Sequence, residues 1–234
     1  MDKQKFDRQW QEFVDQSVND ARFNPQTADQ IAILDEDTTQ TSIHIDWTYW
    51  IHCSWAARQL AKRKPHHHVD FGSYVYFAGI ASAFVPLFEF IDVRPVEFPL
   101  PGLSCGGMDL TKLPIADNSL ESISSMHVIE HIGLGRYGDK LDAQGDIQAA
   151  KELRRVLEPG GTLLFVAPMN EKPRVNFNAH RIYSFAQVSE LFYGLSMEEY
   201  CFLHDDKVSH GGRGFPPGEY TGCFVFTKPK AMSA

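Results

Sequence analysis

The chain has 234 residues, 43% of them hydrophobic and 22% charged, and a formal net charge of −8; this is ordinary globular composition, enough for one substantial core and against a second full domain. The acidic balance argues against nucleic acid or an anionic membrane as the main partner. The cysteines, Cys53, Cys105, Cys201 and Cys223, show no CxxC pair, which argues against structural zinc or a disulfide framework and for free, mostly buried thiols in a reducing compartment.

The first 13 residues are charged throughout and carry no secretory signal, so a cytoplasmic location is expected. Phe6, Trp10, Phe13, Val14 and Val18 recur at helical spacing. Residues 24–44 are polar and read as an irregular connection. A tryptophan-rich helical pattern runs from Trp47 to Lys64, with Lys62, Arg63 and Lys64 at its negative end and Pro65 as its stop. Residues 1–64 therefore read as an N-terminal helical extension, and 65–234 as the main domain.

From here strands and helices alternate. Strands are expected at His68–Phe71, Phe88–Asp92, Ser119–Met126, Thr162–Ala167 and Tyr220–Thr227; helices at Phe77–Phe84, Ile147–Leu157 and Phe185–Tyr193. Residues 71–88 contain no charge, but Gly72, Ser73, Gly79 and Pro86 interrupt them, so they read as strand, turn and helix and no membrane span is expected. The alternation implies an α/β fold, a mostly parallel sheet with helices on both faces.

In such sheets ligands bind outside the carboxyl ends of the strands. Three stretches lie there. In the first, Val69-Asp70-Phe71-Gly72-Ser73, a glycine after a strand lets the backbone turn and approach a ligand, while Tyr74 and Tyr76 stand where a nucleotide loop has further glycines. In the second, Phe90-Ile91-Asp92-Val93-Arg94, Asp92 follows Gly72 by 20 residues, the spacing at which a strand-end carboxylate accepts ribose hydroxyls. In the third, Met108-Asp109-Leu110, a loop aspartate can accept from an adenine amino group.

Together with Val128-Ile-Glu-His131 and Arg155-Val-Leu-Glu-Pro-Gly-Gly161, these stretches resemble the class I S-adenosylmethionine-dependent methyltransferases over about residues 66–170. A closer resemblance, to the DUF268 family of bacterial and nematode proteins, rests on His68-Val-Asp-Phe-Gly-Ser73, Asp92-Val-Arg-Pro95, the run Glu130–Asp139, Phe177-Asn-Ala-His-Arg181 and Trp55-Ala-Ala-Arg58. The resemblance implies a Rossmann-like sheet of seven strands, the last antiparallel, and S-adenosylmethionine as cofactor. It puts Asp70, Gly72 and Ser73 at the methionine end, Asp92 with Val93 at the ribose, Asp109 and Leu110 at the adenine, and His127 beside the sulfonium.

His127, Glu130 and His131 share one face at i, i+3 and i+4. They are the candidate catalytic group, with His131 as a base or orienting residue; the same spacing also suits a divalent ion, and the metal question stays open. The loop from Gly133 to Gly145 offers Arg136 and Tyr137 to an acceptor, and His180 with Arg181 follow on the same side. The expected acceptor is a hydroxyl, or an amine, of a small molecule or a glycan, with homo-oligomerisation open. A non-catalytic scaffold is the alternative reading; a nicotinamide oxidoreductase ranks last because the full glycine fingerprint is absent.

Overall fold

A computed structural model describes residues 3–20, 22, 46–94, 96–98, 100–204, 207–210 and 214–230. Among the described residues five helices and ten strands follow in chain order: α1 (Lys3–Gln16), α2 (Trp47–Arg63), β1 (His67–Phe71), α3 (Val75–Ala81), β2 (Leu87–Asp92), β3 (Leu103–Gly107), β4 (Leu120–Met126), α4 (Gly145–Val156), β5 (Leu157–Met169), β6 (Arg174–Asn176), β7 (His180–Ile182), α5 (Phe185–Leu191), β8 (Ser196–His204), β9 (Lys207–His210) and β10 (Tyr220–Thr227). One 3-10 turn, Ile129–His131, follows β4.

Eight strands form the main sheet, in the order β3-β2-β1-β4-β5-β10-β8-β9. β1 to β5 are mutually parallel, and β10 runs antiparallel to both β5 and β8. The expected seven strands with the last antiparallel are all present; the correction is an eighth, β9, which folds back on β8 at the edge. The strand order reverses between β1 and β4, so the carboxyl ends of β1, β2 and β4 splay around a crevice.

The side chains show why both faces are covered. Along β5, Leu163, Phe165 and Ala167 point into one cluster, with α1, α4 and α5, while Leu164 and Val166 point into the other, with α2 and α3. A strand apolar on both faces must be buried on both. α2 begins at Asp46, whose carboxylate accepts the Tyr49 N–H at 3.1 Å, and ends at Lys64, in the left-handed conformation at φ 53°. α1 buries Phe6 and Phe13. Val18 lies past its end and is exposed, so the helical spacing overreaches there. α3 begins two residues before the expected start and ends at Ala81, and β5 begins at Leu157, five residues before the expected Thr162, taking in Pro159-Gly160-Gly161. The expected connection at 24–44 lies outside the described residues.

β1 and β4 carry a buried polar stripe on the α2–α3 face. The His68 ring lies between Ser122 Oγ (2.8 Å from Nδ1) and Ser124 Oγ (2.9 Å from Nε2), and Ser124 Oγ donates to the Asp70 carboxylate. Because Ser124 gives its proton to Asp70, it accepts from Nε2–H, and Nδ1 accepts from Ser122. Burial pushes the His68 pKa down to about 3 and that of Asp70 up to about 6.

A pH dependence follows. His52 and His68 (about 3) and His127 and His180 (about 4) are depressed chiefly by burial. Their folded-state values lie below the unfolded value of ~6.5, so their stabilisation is present above it and lost as pH falls. Asp70 and Glu130, raised to about 6 and about 7, act in the opposite sense, since protonation relieves their burial. Four imidazoles outweigh two carboxyls. Denaturant unfolding is expected to show stability falling by roughly 2–3 kcal/mol per pH unit between about pH 6 and pH 4.5; a flat profile there would contradict this account.

Candidate active site

Three adjoining compartments lie at the carboxyl ends of β1, β2 and β4, and His127, His131 and Tyr137 border all three. The first, ≈140 Å³, is lined by Gly72, Asp92, Val93, Met108, Asp109 and Leu110. The second, ≈510 Å³, takes in Gly72, Ser73, Tyr74 and Asp92. The third, ≈960 Å³, is the polar one, with Glu130, Arg136 and His180 on one side and Asp46, Trp47 and Tyr49 of α2 on the other.

Gly72 turns at φ 70°, and its N–H donates to the Ile91 carbonyl at 2.7 Å. A Cβ there would lie 3.1 Å from a Val128 methyl and 3.7 Å from an Asp92 oxygen. Only glycine keeps this close approach between strand ends open. Asp92 stands at the tip of β2. Its carboxylate is held by Arg94, from the backbone N–H at 2.7 Å and the guanidinium at 3.1 and 3.3 Å. The guanidinium also lies 4.8 Å from the centre of the Tyr137 ring. Asp109 is exposed and accepts from the N–H and hydroxyl of Thr111, and Leu110 is buried beside it.

Two expected site residues lie elsewhere. Asp70 is fully buried below the loop, where it accepts the Ser73 N–H at 3.2 Å and the Ser124 hydroxyl, and it borders none of the three compartments. Ser73 Oγ in turn accepts the Met126 N–H at 3.1 Å, tying the loop to β4. Arg181, expected at the acceptor, is also fully buried. It donates to the carbonyls of Ile132 (2.6 Å), Asp142 and Ala143 (both 3.2 Å), with Asp146 at 3.6 Å. A guanidinium with this many internal acceptors stays in the interior. Tyr76 is exposed and borders none of the three compartments, and Tyr74 lies at the edge of the second, so neither fills the cleft.

The catalytic candidates do converge. His127 Nδ1 lies 3.0 Å from Glu130 Oε1, and Nε2 is buried without a partner. Glu130 is fully buried; burial raises its pKa to about 7, and its Oε2 also has no partner. His131 Nδ1 lies 2.6 Å from the Ala179 carbonyl, which can only accept, so Nδ1 carries the proton and Nε2 a lone pair. That Nε2 lies 3.8 Å from Glu130 Oε1. Burial lowers the His131 pKa against the opposing pull of Glu130. Arg136 reaches the Ala179 carbonyl at 3.4 Å and Tyr137 at 5.2 Å. His180 stands edge-on to His131 at 6.0 Å. Among the described residues no group of three or more His, Cys, Asp or Glu is arranged to hold a metal ion.

Sequence reasoning missed the α2 wall, Arg94 and the Ala179 carbonyl. Asp46 before an aromatic helix was a usable signal for the first, and Arg94 was read with Asp92 but given no role. The carbonyl has no side-chain signal at all.

A nucleoside-sized ligand needs roughly 300–1,000 Å³. The first compartment alone is smaller, with Arg94 and Tyr137 among the residues that border it, but it adjoins the second along six shared lining residues. With the glycine approach at Gly72, the strand-end carboxylate of Asp92 and the buried, unpartnered Nε2 of His127, the residues fit an adenosyl cofactor.

In fold, the chain is similar over 95% of its length to the N-methyltransferase NodS of Bradyrhizobium japonicum, solved with S-adenosylhomocysteine (13% identity, 99% of that chain, TM-score 0.54). It is similar over 79% to a Burkholderia thailandensis 1,6-didemethyltoxoflavin N1-methyltransferase, also solved with S-adenosylhomocysteine (10% identity, 80% of that chain, TM-score 0.58). Over 76% it is similar to SpnF, a cyclase (14% identity, 82% of that chain, TM-score 0.54). No curated protein matches it in sequence. Among the described residues no helix is long and apolar enough to cross a membrane. Residues 111–208 match the family described as "Caenorhabditis protein of unknown function, DUF268". Over residues 111–208 the chain thus matches the DUF268 description, and its fold is that of the class I S-adenosylmethionine-dependent methyltransferases.

Proposed function

We propose that the chain binds S-adenosylmethionine across the first two compartments and methylates a hydroxyl of a small molecule or glycan in the third. The observation that carries this is the His131 tautomer: Nδ1–H is spent on the Ala179 carbonyl, and the Nε2 lone pair belongs to a residue bordering all three compartments. When bound, the cofactor supplies the methyl electrophile and the thioether leaving group. Asp92 accepts the ribose hydroxyls, and Asp109 and Leu110 flank the adenine. His131 takes the acceptor proton at Nε2, and Glu130, 3.8 Å away, stabilises the imidazolium that forms. A hydroxyl needs such a base more than an amine does, which favours oxygen as the acceptor atom. Arg136, Tyr137 and His180 orient the acceptor.

The test is calorimetric titration with S-adenosylhomocysteine. Asp92→Ala removes two charge-assisted hydrogen bonds and is expected to weaken binding about 100-fold. Arg94→Ala, which breaks a pair whose guanidinium is largely exposed, is expected to tighten binding by no more than about fivefold. The grip of Arg94 on Asp92 is also what favours the second reading, a non-catalytic scaffold. Folded protein that binds neither S-adenosylmethionine nor S-adenosylhomocysteine, with Arg94 present or removed, would leave that reading in place.

A further inference from the structure

The first turn of α2 walls the acceptor compartment with Asp46, Trp47, Thr48 and Tyr49. Tyr49 also borders the compartment of Gly72 and Ser73, and an apolar groove of ≈420 Å³ between α2 and α3. Its ring lies nearly parallel to the His127 imidazole, with centroids 5.3 Å apart and planes at 29°. His52, one turn further along α2 and fully buried, meets the same imidazole at 5.0 Å and Tyr49 at 4.9 Å. Tyr74 stands edge-on to Tyr49 at 5.3 Å.

His127 needs this support. It has φ 56°, the left-handed region that non-glycine residues seldom occupy. A residue there persists only where its surroundings hold it. One hydrogen bond, Nδ1 to Glu130, fixes an edge of the ring but leaves it free to tilt about that bond. The tilt is blocked by the faces of Tyr49 and His52. The N-cap Asp46 starts the helix at the point that delivers Tyr49 to this place.

We propose that Tyr49 is a positioning residue of the transfer reaction, whose ring face holds His127 where the cofactor and acceptor compartments meet. The proposal rests on the methyl-transfer reading above. It assigns the work to the aromatic face and none to the phenol hydroxyl, and it makes α2 part of the reaction centre.

The test compares wild type, Tyr49→Phe and Tyr49→Leu by proton–nitrogen NMR of ring-labelled histidine at pH 7.5, the His127 signals being assigned by their loss in His127→Gln. Tyr49→Phe is expected to keep the two nitrogen signals of the one tautomer fixed by the Nδ1 hydrogen bond to Glu130, and Tyr49→Leu to shift them toward the average of a mobile ring. With an acceptor in hand, Tyr49→Leu is expected to lower kcat about tenfold to 100-fold, with KM for the acceptor changed by less than about threefold, and Tyr49→Phe to restore most of the rate. If Tyr49→Leu does not fold, Tyr49→Met takes its place as the non-aromatic variant. An unmoved His127 signal without the aromatic ring overturns the proposal. So does a Phe variant as impaired as Leu, which would transfer the role to the hydroxyl. Failure of wild type to bind S-adenosylhomocysteine would sink the methyl-transfer reading, while the NMR comparison would still decide whether Tyr49 holds His127.

Discussion

Replacing His131 by alanine is expected to lower kcat for methyl transfer by roughly 10²–10⁴, the usual contribution of a positioned general base. Binding of S-adenosylhomocysteine should change by no more than about twofold, because the ribose and adenine contacts are assigned to other side chains. The selectivity comes from the hydrogen bond to Ala179, which fixes the tautomer and leaves Nε2 as the basic atom. His131→Asn separates orientation from basicity: an amide can still donate to the Ala179 carbonyl but cannot take up a proton at neutral pH. Its rate should match that of the alanine variant. The wild-type kcat profile should show an acid limb below the ordinary imidazole value of ~6.5, since burial lowers the His131 pKa and the residue works as a base when neutral. The measurement is labelled-methyl transfer to the first acceptor found among sugar nucleotides and glycans. Loss of cofactor binding in step with kcat would show that His131 belongs to the cofactor site and would remove it as the base.

Arg181→Met is expected to destabilise the fold by roughly 3–5 kcal/mol, the range for breaking a buried ionic group from one side. The side chain is fully buried, and its loss strands the Ile132 and Asp142 carbonyls, while that of Ala143 keeps Arg22 at 3.2 Å. Asp146 keeps Arg22 at 2.7 Å and the Tyr183 hydroxyl at 3.0 Å, so its charge is not abandoned, which argues against a larger effect. At roughly 2–4 °C per kcal/mol for a chain of this size, Tm should fall by about 6–20 °C. Arg181 also clamps both ends of the loop bearing Arg136 and Tyr137: Ile132 leads into it, and Asp142 and Ala143 leave it. Between them, Gly133 at φ 82° abuts the Asp142 carbonyl, where any Cβ would collide. A Tm within about 2 °C of wild type would show that the carbonyls find other donors and that the clamp is dispensable.

Five sheet strands, all five helices and the crevice were legible in the sequence because long apolar runs and their punctuation dictate them. β3 was not, since Leu103-Ser-Cys-Gly-Gly107 offers little apolar alternation; it is a strand because its backbone pairs with β2. The β6–β7 hairpin is too short for any periodicity, and β9 is an edge strand with exposed side chains. At the site, residues on strand tips were readable, because spacing fixes where a strand ends. Side-chain direction was not. Asp70 and Arg181 carry the residue types of ligand contacts, but strand alternation and an enclosed cluster of carbonyls turn them inward. Tyr49 reaches the centre through packing between segments 78 residues apart, from 49 to 127, which no local pattern records.

The seat of α1 has a consequence for synthesis. Phe6, Trp10 and Phe13 pack around Phe177 with ring centroids 5.1–5.6 Å apart, and the two sides of this contact are separated by more than 160 residues of chain. At the ribosome's pace of about 5–20 residues per second, that interval lasts roughly 10–30 s. Throughout it the apolar stripe of α1 has left the ribosome while its seat is still unmade. The docking of α1 is thus a late, long-range closure, and the nascent chain presents this stripe to chaperones or to neighbouring nascent chains until Phe177 emerges.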